Sequence, residues 1–312
     1  MIAFGASISG DESYRRYAEP GIRLAAESDS ETLAFCSIEP VGRTYNLILD
    51  AAAQREDLEA LVLVHPHTQI TDPQLCAKVR TALAADRDVA VIGAAGATDV
   101  HGIEWWDGTV VSAPLVHRYE ECGGGELPAF AWAERHPPPA EVATVDGQLV
   151  ALSPWAVRNV RFDEGLLLSY GFDLDYCLQV RAAGRKVMVA DLRAVHHRSI
   201  ELVKDLDVWV QAHLDVAEKW DATLSDDPVP EDDAGWKRRA RRAEAEREAA
   251  RAVAFSESME RDARLLELER ALAEKTESLS WRVTAPLRAL NAARRRRAER
   301  QRTDTKIRRP WD

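Results

Sequence analysis

Three short stretches of this 312-residue chain bring side chains capable of acid–base or ligand chemistry close together. The first is Leu61-Val-Leu-Val-His65-Pro66-His67-Thr68-Gln69, an apolar run that ends in two imidazoles. If the backbone stays extended through Pro66, alternate side chains share a face, so His65 and His67 leave the run on the same side. An imidazole there can move a proton near neutral pH or ligate a metal. The second stretch is Tyr170-Gly-Phe-Asp173-Leu-Asp175-Tyr-Cys-Leu178, with Asp173 and Asp175 near a helix start. Free N–H groups of a first helical turn stabilise carboxylates as anions, and one facing a cleft is a candidate general base. Simple capping by Asp173 accounts for the same spacing. The third is Val195-His196-His197-Arg198-Ser199, where neighbouring strand residues point to opposite faces, so one histidine meets a site while the other packs or is solvated.

Positioning these groups falls to an alternation of short β-rich runs and helical patterns. Ile2 to Ala6, Thr32 to Ile38, Ala60 to His65 and Val89 to Ala95 are strand-like. A helix from Tyr45 carries Leu49 and Ala52 on one face, and Asp72-Pro73 supplies a cap and first-turn proline for another through Ala85. Near-continuous apolar strands in βαβα order predict an α/β domain, a mostly parallel sheet with helices on both faces. Ligands of such sheets bind beyond the strands' carboxyl ends, which directs attention to the loops after Ala6, Ile38, His65 and Ala95. From 102 to 139 the pattern gives way to Trp105-Trp106-Asp107-Gly108, three glycines and three prolines, read as a variable loop region over the sheet. A strand from Glu141 to Leu152 contains Asp146-Gly147, a helix follows from about Phe172 to Ala183, and Ile200 to Trp220 reads as a closing amphipathic helix.

In this order and spacing, the blocks resemble the StrF-like branch of the family-2 glycosyltransferases, whose fold is called GT-A. The resemblance runs over nearly all of residues 1 to 220. It rests on Tyr45-Asn46, Leu61-Val-Leu-Val-His65, Gly93 to Gly96, Val145-Asp146-Gly147, Arg161-Phe-Asp-Glu164, and Phe172-Asp-Leu-Asp-Tyr-Cys-Leu with Ala183-Gly184. It implies a nucleotide-sugar bound over the first strands near Tyr45, Asn46, His65, His67 and Asp146, and a glycan or glycolipid acceptor. It further implies a divalent cation, Mn²⁺ or Mg²⁺, beneath the diphosphate, and inverting transfer. Carried over by position, Asp173 matches the base, with Asp175 its neighbour, and His196 matches a late metal ligand, with His67 the other candidate ligand. One departure is plain: where the family usually shows His-Gln-Asp followed by Thr and an acidic residue, this chain has His65-Pro66-His67-Thr68-Gln69. Imidazoles suit Zn²⁺ better than the hard, oxygen-seeking cations. Two alternatives follow: a catalytically impaired nucleotide-sugar or glycan-binding module, and a metal-dependent hydrolase built on His65, His67 and His196 or His197. The hydrolase normally demands the strand and helix repeats of an eight-stranded barrel, which 102–139 lacks.

The tail differs sharply in composition. From Trp236 onward 22 Lys and Arg stand against 13 Asp and Glu, whereas residues 1–235 carry 19 against 39. An acidic globular part argues against nucleic acid as its ligand, and the basic end suits an anionic membrane surface or an acidic partner. The chain divides on this reading into a domain over 1–222, an acidic proline-containing linker over 223–235, and a basic helical tail over 236–312 that does not pack into the domain. Leu265, Leu268, Leu272 and Leu279 have the spacing of a short coiled coil suited to self-association. Ser280-Trp-Arg-Val-Thr-Ala-Pro-Leu-Arg is similar to a motif that follows many bacterial cell-surface glycosyltransferase domains. Cys36, Cys76, Cys122 and Cys177 lack CxxC spacing and read as reduced core residues, and no stretch reaches the roughly 20 apolar residues of a membrane span. The expected location is cytoplasmic, with peripheral contact at the inner face of the membrane open to the tail.

Overall fold

The computed structural model describes residues 1–9, 11–119, 125–128, 135–166, 170–197, 205–224 and 234–278, with scattered positions from 281 to 294. The chain opens with β1 (Ile2–Ile8). It passes through the short α1 (Asp11–Ser13), a wide π-type turn (Tyr14–Ala18) and α2 (Glu19–Ala25) to β2 (Glu31–Cys36). Next come α3 (Val41–Ala53), β3 (Ala60–Val64), β4 (Thr68–Ile70), α4 (Leu75–Ala85), β5 (Val89–Gly93) and β6 (Ala95–Thr98). The middle holds β7 (Thr109–Ser112), β8 (Leu115–Tyr119), β9 (Gly125–Pro128), β10 (Arg135–His136), β11 (Ala140–Val142), β12 (Thr144–Val145) and β13 (Leu149–Leu152). Then follow α5 (Pro154–Asn159), α6 (Phe172–Ala182), β14 (Lys186–Val189), β15 (Ala194–His197), α7 (Leu206–Lys219), α8 (Asp221–Leu224) and α9 (Ala234–Glu277).

The main sheet has the order β11-β14-β5-β13-β3-β1-β2. β1 pairs in parallel with β2 and β3, and β5 with β14, whereas β13 runs against β3 and β5, and β11 against β14. The sheet is mostly parallel and packed on both faces, which explains why β3 and β5 are buried throughout as Ala-Leu-Val-Leu-Val and Val-Ala-Val-Ile-Gly. Even positions such as Phe4, Val62 and Val64 pack with Ile22, Leu75 and Val79 from α2 and α4. Odd positions such as Ala3, Leu61 and Leu63 pack with Tyr45, Ile48, Tyr176 and Val180 from α3 and α6. Each buried Leu, Ile or Val contributes about 1.5–3 kcal/mol. Gly5 lets α3 approach: a Cβ there would stand 2.6 Å from Ile48.

Several sequence expectations are corrected. The 102–139 region carries a 3₁₀ turn, Trp105–Asp107, and β7 to β10, which join two four-stranded sheets of order β10-β7-β6-β12 and β4-β15-β8-β9. These strands are short and several find partners far away in sequence, so no local period announces them. The single strand expected over Glu141 to Leu152 is three strands, β11, β12 and β13. The break before β13 delivers Asp146-Gly147-Gln148 to the carboxyl end of β3, because Leu149 pairs with Val64. Cys36 is exposed rather than in the core, Cys76 and Cys177 are buried, all three are free, and Cys122 lies outside the described residues.

The tail also departs from expectation. Ala245, Ala249 and Ala252 of α9 are buried in one cluster with Trp209, Val210 and Val216 of α7 and with Leu174 and Leu178 of α6. Small alanines allow the two helices to approach closely. Arg251 Nη1 adds an ion pair to Asp107 Oδ2 at 2.6 Å, and Arg241 pairs with Asp221. The first half of the helix is therefore part of the domain's packing. Most of the expected linker, residues 225–233, lies outside the described residues, as do positions 280, 282 and 285 of the Ser280–Arg288 motif.

Candidate active site at the carboxyl edge of the sheet

The turn Asp146-Gly147-Gln148 organises the site. The His65 amide donates to Gln148 O at 3.0 Å, and the Asp146 amide to Ala95 O at 2.9 Å, which fixes the turn across the ends of β3 and β6. Gly147 N donates to Asp173 Oδ2 at 3.0 Å, so the first turn of α6 is tied to the same loop. A Cβ on Gly147 would stand 2.9 Å from the Phe172 ring and 3.3 Å from Asp173 Cβ, so this contact needs glycine. Gly171, at φ +77°, starts α6 in a conformation that L side chains rarely adopt.

Asp173 accepts from Leu174 N at 2.9 Å as well as from Gly147 N. Burial raises its carboxyl above the usual range, against the lowering by these backbone bonds. Asp146 stands near enough for the two charges to interact: burial first, then the charge of Asp173, push it up to about 7, against a bond from Gln148 N. Two neighbouring carboxyls, each with its affinity for a proton raised by burial, are equipment for general acid–base chemistry. Behind Asp173 lies a small apolar pocket lined by Tyr45, Leu63, Phe162, Phe172 and Tyr176 among others.

Five histidines gather at the neighbouring edge. The rings of His65 and His67 stack with centroids 5.4 Å apart, His65 meets His196 edge-on at 5.9 Å, and His196 meets His117 at 5.4 Å. His196 faces His117 of β8 and Thr68 of β4 by register, which is why residues so distant in sequence converge. Burial drives the His117 imidazole down to about 4, so it is neutral near pH 7. His197 turns the other way: its ring stacks on Tyr17 at 4.0 Å and its Nε2 bonds Gln69 Oε1 at 2.8 Å.

Three of the expected site residues make contacts within the fold. Tyr45 is buried against Phe162 and Phe172. Asn46 clamps the backbone of Phe162, accepting from its N–H and donating to its carbonyl, both at 2.9 Å. Asp175 is fully buried and receives Trp220 Nε1 and Lys219 Nζ, both at 2.7 Å, and Gln179 Nε2 at 2.8 Å, which ties α6 to the end of α7. Two groups at the same edge escaped the sequence reading. Ser7, near the end of β1, and Gln148 are 6% and 4% exposed, and neither the Ser7 hydroxyl nor either end of the Gln148 amide has a hydrogen-bond partner. Buried polar atoms are seldom left unsatisfied, so these two side chains retain hydrogen-bonding capacity at the edge of the sheet. The available signal was a polar residue at the end of an apolar run.

The cation implied for such a site does not match these residues. Among the described residues no three His, Cys, Asp or Glu side chains are arranged to hold a metal ion. The cluster offers imidazoles where Mn²⁺ and Mg²⁺ favour oxygen, and Gln69 is spent on His197.

Residues 17–218 match the model of the family described as "Glycosyltransferase like family". The chain belongs to this family. It is also similar to the streptomycin biosynthesis protein StrF of Streptomyces griseus, with 27% identity over 206 residues, spanning 64% of this chain and 67% of the relative. Among solved structures, the mannosyltransferase PcManGT from Pyrobaculum calidifontis, in complex with GDP-Man and Mn²⁺, aligns with a TM-score of 0.44. That alignment has 12% identity and covers 94% of this chain and 79% of that one. No helix among the described residues of this glycosyltransferase-like chain is long and apolar enough to cross a membrane.

Proposed function

We propose that the chain transfers a sugar, with inversion, from a nucleotide-sugar to a hydroxyl of a glycan or glycolipid, and that Asp173 is the general base. The reading rests on one observation: Asp173 is fixed at the carboxyl edge of the sheet by Gly147 N and Leu174 N, with a carboxyl more basic than usual and Asp146 beside it. In the step, the acceptor oxygen gives its proton to Asp173 and bonds the anomeric carbon. The bond from that carbon to the diphosphate breaks, and its electron pair leaves with the nucleoside diphosphate. Ser7 and Gln148 supply unspent polar groups for the nucleotide-sugar. A positioned base contributes about 100- to 10,000-fold. Asp173→Asn should lose transfer by that factor while nucleotide binding, measured by calorimetry, stays near wild type. Full transfer by the variant would overturn the assignment.

A second reading, a binding module without catalysis, draws on the missing carboxylates at positions 67 and 69. Wild-type protein that binds nucleotide-sugar but transfers to no acceptor would select it. The tail, beyond its packed half, is proposed to join two copies of the chain, with a role in cell-surface glycan synthesis at the cytoplasmic side of the membrane.

A further inference from the structure

We propose that Asp175 is a positioning residue: held by Trp220 and Lys219 at the end of α7, it fixes the rotation of the first turn of α6 and so aims the carboxylate of Asp173, an inference that rests on the reading of Asp173 as the base. Two residues apart on a helix, the two side chains leave it about 200° from each other. On one side Asp173 reaches the Asp146-Gly147-Gln148 turn, where Gly147 N donates to its Oδ2 at 3.0 Å. On the other side Asp175, fully buried, accepts from Trp220 Nε1 and Lys219 Nζ at Oδ1, both at 2.7 Å, and from Gln179 Nε2 at Oδ2 at 2.8 Å. The N-cap of α6 is Gly171, which has no side chain to bond the amides of that turn. Phe172 packs on Tyr45 and Phe162, but apolar contact is largely non-directional and leaves the angle to the two carboxylates.

This latch is built from charge where apolar packing alone would serve. A buried ion pair is seldom more stabilising than apolar residues of the same volume, so what it contributes here is geometry, since a carboxylate with three donors is held in one orientation. Lys219 also reaches Asp163 Oδ2 at 2.6 Å, so one ammonium spans the Arg161–Glu164 block and α6. Burial by itself would lower the Lys219 ammonium, but the bonds to Asp163 and Asp175 raise it above its ordinary value, so the lysine stays charged through the neutral range. Without that charge the Asp175 carboxylate is left buried with less to offset it, and the turn rotates to bring it toward water. α7 is itself backed by α9 through the Trp209 cluster, which connects the packed half of the tail to the base.

The test is amide hydrogen exchange of the full chain, read by NMR at Gly147, whose N–H bonds Asp173, and at Gly5, inside β1, as the measure of overall stability. Lys219→Met keeps the stem and removes the charge, Trp220→Phe keeps a ring and removes the donor, and Lys219→Arg keeps both charge and donors. Lys219→Met and Trp220→Phe should each speed exchange at Gly147 about tenfold relative to Gly5, as expected for the weakening of one hydrogen bond, and Lys219→Arg should match wild type. In transfer by the first two variants, kcat should fall about tenfold with KM for the nucleotide-sugar near wild type. Exchange at Gly147 that is unchanged, or that rises only in step with Gly5, would overturn the latch. Faster exchange at Gly147 beside an unchanged kcat would overturn its link to catalysis. Because exchange needs no substrate, a failed latch is told apart from a failure of the glycosyltransferase reading, which Asp173→Asn tests through transfer.

Discussion

Asp146 is a carboxyl whose environment departs far from that of a solvated side chain. Its carboxyl, held at about 7 by burial and by Asp173, binds a proton in the folded state that the unfolded chain gives up near the ordinary value of 3.8. Between these values the folded protein holds more protons than the unfolded one, so stability declines as pH rises from about 4 to about 7 and levels off above. Asp146→Asn should remove that decline: melting temperatures of wild type and variant, followed from pH 4.5 to 8, should diverge toward the basic end, with the variant the more stable. Parallel curves would show that Asp146 titrates normally. The same scale separates the two aspartates of the Phe172–Leu178 block. Asp173 binds loop and helix amides at the edge of the sheet, whereas Asp175, one turn face away, meets Trp220 and Lys219.

At the scale of elements, β13 and α9 carry the arrangement. β13 runs antiparallel between β3 and β5, so its preceding turn lies at the carboxyl ends of its neighbours, where a parallel strand would have presented its other end. α9 is docked by small residues. Ala249 is 1% exposed against the Trp209 cluster, so Ala249→Leu should overpack the contact and cost about 1–3 kcal/mol. On the same helix, Ala271 is exposed, and Ala271→Leu should change stability by less than about 0.5 kcal/mol. Equal melting temperatures for the two variants would return the helix to the free-standing tail expected from composition.

Across the whole molecule, α9 bears two apolar stripes that one body cannot bury together. Ala245, Ala249, Ala252, Met259 and Ala263 are buried on one side, whereas Leu265, Leu268 and Leu272 are 52–59% exposed. At about 100° per residue, Leu265 lies some 200° from Ala263, on the opposite face. Arg264 and Glu269 flank this second stripe in the positions that pair across a parallel two-stranded coil. Light scattering after size exclusion should show a concentration-dependent dimer, and Leu268→Glu with Leu272→Glu should give a monomer of unchanged melting temperature. A wild-type monomer at all concentrations would sink the self-association.

The sequence by itself determined the α/β class, the apolar strands of the sheet, the carboxyl edge as the place to look, and the divergence of His196 from His197. All of these follow from local periodicity, composition and the two-residue repeat of a strand. Only the tertiary structure decided which residues meet there. Ser7, Gln148 and His117 come from separate stretches, and a polar residue bordering an apolar run is too common a pattern to single any of them out. Tyr45, Asn46 and Asp175 have the right types but are bound to Phe162, Trp220 and Lys219, partners far from them in sequence. The charge run of the tail hid the alanine stripe that docks it, because burial against Trp209 depends on the face presented and not on the average of the helix.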